Sequence, residues 1–323
     1  MRDRRRSAFV VATAVFVGLA VLAFVPTPYY LLSPGSAVDL STRVTVEGHA
    51  PAKRSYYLTD VTVQRATALL LLAGLLPGTR LVKHDFLLPP GETLRGYERV
   101  LTAAMDDSQH VAAYVAERAA GLRVAPPLRS VVVADLLDSS RARGVLRIGD
   151  RLVRAQGLPI AAQSDAARAV GALHPGDLAR VDIERGGRII HVSVPTIELN
   201  GATRLGIEIG VQSTVPELAV PVRFSLRGVE GSSGGLMFAL AIYAELTSER
   251  RASSPVAGTG TLAPDGTVGA IEGTQQKVIA AERAGARTFL VPRKNYAEIA
   301  NERGIKVIPV DTFAAALAAV RGI

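Results

Sequence analysis

The stretch GSSGGLMFALAIYAEL, residues 231–246, carries the clearest structural signal in this chain of 323 residues. Its nearly all-apolar part, Leu236–Leu246, predicts a helix that is buried on every side. The glycine-flanked turn before it places Ser233 at the helix start, where backbone N–H groups lack partners and suit a developing oxyanion. Glycines at positions 234 and 235 should let a substrate backbone come close. The alternative is that Ser233 only caps the helix, which is the commoner role of a serine at this position.

A lysine in a second predicted helix supports a chemical role for this turn. The helix spans Gln275–Ala284 and contains Lys277. Three alanines share its face of the helix: Ala280, Ala281 and Ala284. These small neighbours indicate close packing, and burial lowers a lysine pKa from about 10.4 toward the value that a general base needs. The alternative is a lysine that extends from the helix edge into solvent.

Composition excludes several other kinds of chemistry. The chain has no cysteine, no H-E-x-x-H pattern and no G-x-x-x-x-G-K-[ST] loop, so neither a metal nor a nucleotide cofactor is expected. All five histidines precede residue 198, so the last part of the chain holds no Ser-His-Asp triad by itself: His49, His84, His110, His174 and His191. The net charge is +8, but the basic residues are scattered beyond Arg2–Arg6 and do not alternate with aromatic residues. We therefore expect no nucleic-acid partner.

The N-terminus predicts a membrane anchor. Residues 8–25 carry no charge, follow the basic cluster Arg2–Arg6, and would span about 27 Å as a helix. Pro26 and Pro28 should end this helix, and Tyr29-Tyr30 would then lie at the depth that aromatic side chains favour. The prediction is a cytoplasmic basic tail over residues 1–7 and a transmembrane helix over residues 8–26.

The same segment predicts where the rest of the chain lies. Basic residues stay on the cytoplasmic side, so residues from 27 onward should be extracytoplasmic, with the protein in the cell membrane as a single-pass protein. The alternative is a signal peptide cleaved near Val21-Leu22-Ala23. Both interpretations export the remainder of the chain.

Three regions follow the predicted anchor. Residues 27–120 contain a strand-like stretch, Ser55–Val63, and helical runs near Ala66–Leu76 and Tyr97–Met105, without a recognisable motif. Residues 121–197 are rich in predicted strands. Residues 198–323 mix strands with the two helices described above, beginning with strand-like stretches at Leu205–Val211 and Leu218–Leu226. The overall class is α+β.

Residues 121–197 resemble a PDZ domain of the bacterial protease-associated type. The resemblance rests on the stretch Leu146-Arg147-Ile148-Gly149-Asp150-Arg151-Leu152, on the buried strand at 131–133 and on the helix Ser164–Leu173. Such domains take a peptide as an added strand beside one helix. The family's Gly-Leu-Gly-Phe loop is not visible, and Pro126-Pro127-Leu128-Arg129 stands about where it is expected. Peptide binding and a purely structural role therefore both remain open.

Residues 198–323 resemble the proteolytic domain of Lon-type serine proteases. Residues 231–235 align with the family's Gly-Pro-Ser-Ala-Gly, with Ser232 in place of proline and Gly234 in place of alanine. The remaining matches run through the second helix: Gly266-Thr267-Val268, Ile271, Gly273, Lys277, Ala280-Ala281 and Ala284-Gly285.

The resemblance implies roles for individual residues. Ser233 would be the nucleophile and Lys277 the general base. Thr259 would supply a hydroxyl near the lysine, and Glu230 is the acidic residue three positions before the serine. An anchor, a PDZ-like domain and a Lon-type C-terminus together resemble membrane-anchored PDZ/Lon-domain proteases of Gram-positive bacteria.

The sequence thus predicts an ATP-independent serine endopeptidase that acts on unfolded or extended extracytoplasmic proteins. Two alternatives remain open. One is an inactive peptide-binding scaffold at the membrane, and the other is a different acyl transfer, such as self-cleavage or hydrolysis of a non-protein amide. A homo-oligomer is compatible with the sequence, which does not define the substrate.

Overall fold

The computed structural model describes most of the chain: residues 13–14, 16–52, 54–84, 94–137, 139–214, 218–226, 228–229, 231–248, 255–302 and 304–322. The first strands in chain order are β1 (Pro26–Asp39), β2 (Val44–Val46), β3 (Tyr56–Thr67), β4 (Arg80–Lys83), β5 (Leu128–Leu136), β6 (Arg151–Ala155), β7 (Leu158–Pro159), β8 (Leu178–Arg185) and β9 (Arg188–Pro195). The later strands are β10 (Ile197–Leu199), β11 (Ala202–Arg204), β12 (Ile207–Thr214), β13 (Val222–Phe224), β14 (Val256–Gly258), β15 (Thr261–Leu262), β16 (Val268–Gly269), β17 (Thr288–Pro292) and β18 (Lys306–Val310). The helices are α1 (Leu94–Ala119), α2 (Gln163–Val170), α3 (Gly235–Leu246), α4 (Thr274–Arg283), α5 (Tyr296–Ile299) and α6 (Phe313–Arg321).

One six-stranded sheet joins the two ends of the chain, in the order β18-β17-β14-β3-β1-β4. The four strands from β18 to β3 are parallel, and β1 pairs antiparallel with both β3 and β4. Strands from residues 26–83 and strands from residues 256–310 therefore form a single sheet. The unassigned region after the predicted anchor thus belongs to the unit that carries Ser233 and Lys277.

Helices cover both faces of this sheet. Helix α3 is buried from Gly235 to Glu245 and packs with α1, α6 and the sheet in the largest core of the described residues. Helix α4 lies on the opposite face, where Val278 and Ala281 pack against Phe289 and Val291. Burial of apolar area from both helices is the main stabilising contribution to this layered α/β unit.

A second six-stranded sheet has the order β12-β5-β6-β8-β9, with β7 paired to β6. Helix α2 closes its core through Ala166, Ala169 and Val170. Strand β12, which the sequence analysis placed with the following region as Leu205–Val211, pairs antiparallel with β5 along its whole length. The PDZ-like unit is therefore completed by residues beyond 197, because the alternating apolar residues of β12 cover the same core.

Of three local predictions in the first region, two are confirmed and one is wrong. The helix near Tyr97–Met105 is confirmed as part of α1, and the strand Ser55–Val63 as β3. The helix near Ala66–Leu76 is wrong: residues 66–67 continue β3, and a turn and a short 3-10 helix, Leu72–Leu75, follow. The pairing of Thr67 with Pro26 extends the strand at the expense of the helix.

Strand predictions in the last region are confirmed in part. The stretch Leu218–Leu226 forms only the short strand β13, which pairs with β2. The helix Gln275–Ala284 is confirmed as α4, one residue earlier at each end.

The N-terminal prediction is only partly within the described residues, because 1–12 and 15 lie outside them. Residues 16–24 are helical and largely exposed, and β1 begins at Pro26. In the described part of the chain, no helix is both long enough and apolar enough to cross a bilayer. Tyr30 is buried beside Leu32 and Val82 in the sheet and so is not an interfacial side chain.

Candidate active site

The turn before α3 is held in place by hydrogen bonds to α1 and to residues 259–260. The Gly231 amide donates to the Leu101 carbonyl of α1 at 3.0 Å. The Ser233 carbonyl accepts from the Gly260 amide at 2.8 Å and from Thr259 Oγ1 at 3.1 Å. The N-cap of α3 is Gly234, so Ser233 does not cap the helix, and its hydroxyl is available for another partner.

That partner is Lys277. Its Nζ donates to Ser233 Oγ at 2.6 Å and to Thr259 Oγ1 at 3.2 Å. The lysine side chain is only 5% exposed, and Thr259 is fully buried. The prediction of a packed lysine is therefore confirmed, and the solvent-extended alternative is wrong. Of the three alanines, Ala280 and Ala281 are buried, whereas Ala284 at the end of the helix is exposed.

The position of α4 depends on a close approach to the sheet. Its N-cap, Gly273, has a left-handed φ of 73°, and a Cβ at this position would lie 2.7 Å from Val61 of β3. Glycine alone adopts this conformation without strain and leaves room for Val61. This contact sets the first turn of α4 on the sheet, so that Lys277 points toward Ser233.

Burial lowers the pKa of Lys277 from 10.5 to about 8, because the ammonium loses its hydration. The negative charge of Asp60 opposes this shift and raises the pKa. Asp60 lies on β3 and is itself held by Ser36, whose hydroxyl donates to Asp60 Oδ2 at 2.9 Å. Nothing in the sequence around Asp60 indicated this role, because the residue is more than 200 positions from the lysine in the chain.

Gly234 and Gly235 differ from the expectation. Both are buried, and a Cβ on Gly234 would lie 2.9 Å from Leu58 and from Phe238. A Cβ on Gly235 would lie 2.9 Å from Ser108 Oγ. At both positions, glycine therefore allows the turn to pack closely against the protein interior.

Backbone donors are present beside the serine. Among the described residues, the amides of Ser233 and Gly234 have no hydrogen-bond acceptor. They lie at the start of α3, where the partial positive charge of the helix is concentrated. The two N–H groups are thus the candidates for binding a negatively charged oxygen.

Helix α1 supplies a contact that no sequence pattern predicted. Ser108 is buried, and its hydroxyl donates to the Ser232 carbonyl at 3.1 Å. The neighbouring Asp107 accepts a hydrogen bond from the Ser213 amide at the end of β12. Two adjacent residues of α1 therefore connect the serine turn to the PDZ-like sheet.

Two further predictions concern the same turn. Lys277 bonds Ser233 and not Ser232, which favours Ser233 as the reactive hydroxyl of the pair. Glu230 lies outside the described residues. No group of three or more His, Asp or Glu side chains in the described parts of the chain forms a metal site.

Among the described residues, β12 is an edge strand of the PDZ-like sheet and lies next to α2, and its Ser213 amide is bonded to Asp107 of α1. Strand β12 pairs with β5 on one side, and Gln163 Nε2 at the start of α2 donates to the Ile209 carbonyl on the other. The loop that enters β12 reads Arg204-Leu205-Gly206-Ile207, and Gly206 has a φ of 70°. Residues 126–129 lead instead into β5, which has β12 and β6 on its two sides, so they do not adjoin this edge.

Two family models match the chain. Residues 186–318 match the Lon protease (S16) C-terminal proteolytic domain, and residues 108–196 match the PDZ domain. The chain therefore contains a PDZ domain and a Lon-type proteolytic domain. The Lon-type (S16) domain is that of a serine peptidase family. Strand β12 lies beyond the segment matched by the PDZ model.

Similar curated proteins are Lon proteases. That of Campylobacter concisus is 39% identical over 106 residues, which is 30% of this chain and 12% of that protein. Those of Roseiflexus castenholzii and Helicobacter pylori are 43% and 38% identical over 81 and 97 residues, or 25% and 30% of this chain and 9% and 10% of those proteins. This chain thus spans about a tenth of the length of the curated relatives it matches.

Similar solved structures are PDZ domains of SdrC-like proteins. That from Listeria monocytogenes has a TM-score of 0.23 and 18% identity, and covers 25% of this chain and 86% of that one. That from Listeria innocua has a TM-score of 0.23 and 20% identity, and covers 25% of this chain and 92% of that one.

Proposed function

We propose that this chain is a serine endopeptidase in which Ser233 is the nucleophile and Lys277 the general base. The observation that carries the proposal is the 2.6 Å separation between Lys277 Nζ and Ser233 Oγ in a buried setting. A lysine with a pKa near 8 has a substantial neutral fraction close to neutral pH, and only the neutral amine accepts a proton. An arginine at the same position would keep its proton.

The reaction follows from this geometry. The Ser233 hydroxyl donates its proton to neutral Lys277 as Oγ attacks the peptide carbonyl, and the amides of Ser233 and Gly234 bind the oxyanion. The lysine then protonates the leaving amine, and water releases the acyl-enzyme by the reverse sequence. Thr259 supports the lysine, because its buried hydroxyl lies 3.2 Å from Nζ and keeps the side chain directed at Ser233.

The PDZ domain is the proposed binding site for substrates. An extended peptide can add to the edge of β12 beside α2, on the N-terminal side of Ser213, using main-chain hydrogen bonds for affinity. Gln163 occupies the Ile209 carbonyl of that edge in the absence of a peptide, so it must move when a peptide binds. The chain carries no phosphate-binding loop, so we propose that it acts without ATP on proteins that are already unfolded or extended.

The protein is further proposed to be anchored in the cell membrane. The uncharged run at residues 8–25 after Arg2–Arg6 supports a single-pass anchor with an extracytoplasmic catalytic unit. A reporter fused after residue 323 should then be active only outside the cytoplasm. Cytoplasmic activity of that fusion would contradict the proposed topology.

Hydrolysis of an unfolded protein by the purified full chain tests the catalytic proposal. The wild type should release peptides without ATP, and Ser233→Ala should abolish release while the fold, followed by circular dichroism, is unchanged. A fluorophosphonate probe should label the wild type and not the variant. Equal proteolysis by both proteins would refute Ser233 as the nucleophile.

A further inference from the structure

A leucine-rich loop, residues 68–76, projects apolar side chains into solvent next to the catalytic helix. Its exposed leucines are Leu72, Leu75 and Leu76, with 61%, 83% and 60% of their surface accessible. An apolar patch of this kind marks a binding surface. We propose that this loop is a second membrane-contacting element, which inserts its leucines into the bilayer surface beside the N-terminal anchor. The proposal rests on the anchoring proposed above.

The loop is continuous with the N-terminal helix. The Ala68 amide donates to the Val25 carbonyl at 2.9 Å, and the Leu69 amide donates to the Leu22 carbonyl at 3.0 Å. The exposed face of that helix is also apolar, since Phe16 and Phe24 are 73% and 86% accessible. One apolar surface therefore extends from residues 16–25 across the loop.

Most backbone amides of the loop have acceptors within or next to it. Successive turns bond the amides of residues 71–74 and 76 to carbonyls within residues 67–73. The Thr79 hydroxyl donates to the carbonyls of Ala73 and Leu76, both at 2.8 Å. Pairing of these amides lowers the cost of placing the backbone in an apolar medium, and it leaves few free amides for a peptide strand. This property favours lipid over an extended substrate as the occupant.

The charges around the loop match an anionic lipid surface. Residues 61–84 contain no acidic residue, while Arg65, Arg80 and Lys83 are exposed on the strands that flank the loop. Basic side chains beside an inserted apolar segment interact with lipid phosphates. The same sign of charge appears in Arg2–Arg6 at the other end of the anchor segment.

The loop is also fixed to the helix that carries Lys277. Gln276 Nε2 donates to the Gly78 carbonyl at 3.1 Å. A Cβ on Gly78 would lie 2.3 Å from Ile279, so the turn that follows the loop packs tightly against α4. Insertion of the leucines would therefore hold the catalytic helix next to the membrane surface.

The absence of cysteine permits a direct test with single introduced thiols. Leu75→Cys in the full chain is labelled with an environment-sensitive fluorophore and reconstituted into phosphatidylcholine–phosphatidylglycerol vesicles. The emission should shift to the blue and be quenched several-fold more by nitroxides on the lipid acyl chains than by iodide in water. Leu178→Cys is the matched control, because this leucine is 60% exposed on the PDZ domain, and its label should respond only to iodide.

A label at Phe16→Cys separates this proposal from the anchoring proposal. Quenching by lipid nitroxides at position 16 with a water-exposed label at position 75 would leave the anchor in place and overturn the loop assignment. Water-exposed labels at both positions would overturn the anchor and the loop together. A label at position 75 that is shielded from iodide and from lipid nitroxides, with energy transfer between protomers, would identify an interface between copies and overturn the lipid assignment.

Discussion

Replacing Lys277 by methionine should change how stability depends on pH. The substitution keeps an unbranched side chain of similar length and removes the titrating amine. In the wild type, the folded-state pKa of Lys277 is about 8, below the value of 10.5 for an unburied lysine. Below pH 8 both folded and unfolded states hold the proton, so the folded state bears the full energetic penalty of burying it.

The size of the effect follows from the shift. A difference of 10.5 minus 8 corresponds to about 3 kcal/mol of destabilisation at pH 7, at about 1.4 kcal/mol per pKa unit. Between pH 8 and 10.5 the unfolded state binds more protons than the folded state, so the wild type gains stability as the pH rises. The penalty should fall to about 1 kcal/mol at pH 10. The Lys277→Met variant lacks this term at every pH.

Urea unfolding of the detergent-solubilised full chain at pH 7 and pH 10 measures this difference. Relative to Lys277→Met, the wild type should gain about 2 kcal/mol between the two pH values. The variant lacks the hydrogen bonds from Lys277 to Ser233 and Thr259 at both pH values, so their loss cancels when the two pH values are compared. Lys294→Met is the control, because Lys294 is exposed, and it should show no such change. A constant difference between wild type and Lys277→Met would refute a depressed pKa for the buried lysine.

Four further outcomes are expected. The rate constant kcat/KM should rise about tenfold between pH 7 and pH 9, with an apparent pKa near 8; a limb near 10.5 would contradict burial of the base. Lys277→Arg should reduce turnover roughly 1,000-fold, because arginine does not accept the serine proton. Lys294→Arg should retain turnover, and peptide-release assays compare the two variants. Ser108→Ala should lower kcat roughly tenfold by loosening the Ser232 carbonyl without changing the pH limb, while Ser232→Ala should retain substantial activity; the opposite order would show that Ser232 is the reacting serine. Gln163→Ala should strengthen binding of extended peptides a few-fold, because it frees the Ile209 carbonyl; weaker binding, by fluorescence anisotropy, would show that Gln163 itself contacts the peptide.

Local sequence determined most elements of the C-terminal unit. The nearly all-apolar run Leu236–Leu246 predicts a helix without a solvent face, and α3 is buried from Gly235 to Glu245. The alanines beside Lys277 predicted close packing, and two of the three are buried. These predictions succeeded because side-chain size and periodicity act within a few turns of the chain.

Contacts between distant segments could not be predicted from local sequence. The helix expected near Ala66–Leu76 became a strand end and an apolar loop, since pairing with β1 outweighs the helix preference of alanine and leucine. Strand β12 joined the PDZ sheet although it follows the predicted boundary at residue 197. Strand membership depends on which edge is free in the folded chain, and no local pattern contains that information.

The sequence by itself thus determined the candidate pair, Ser233 and Lys277, because a glycine-flanked serine and a lysine among alanines are local patterns with a chemical meaning. Only the tertiary structure decided that Lys277 Nζ lies 2.6 Å from Ser233 Oγ. It also placed Asp60 and Ser108, from a region without any motif, beside the lysine and the serine turn. The pKa of a lysine depends on all the charges and solvent around it, and these are set by segments more than 100 residues away in the chain.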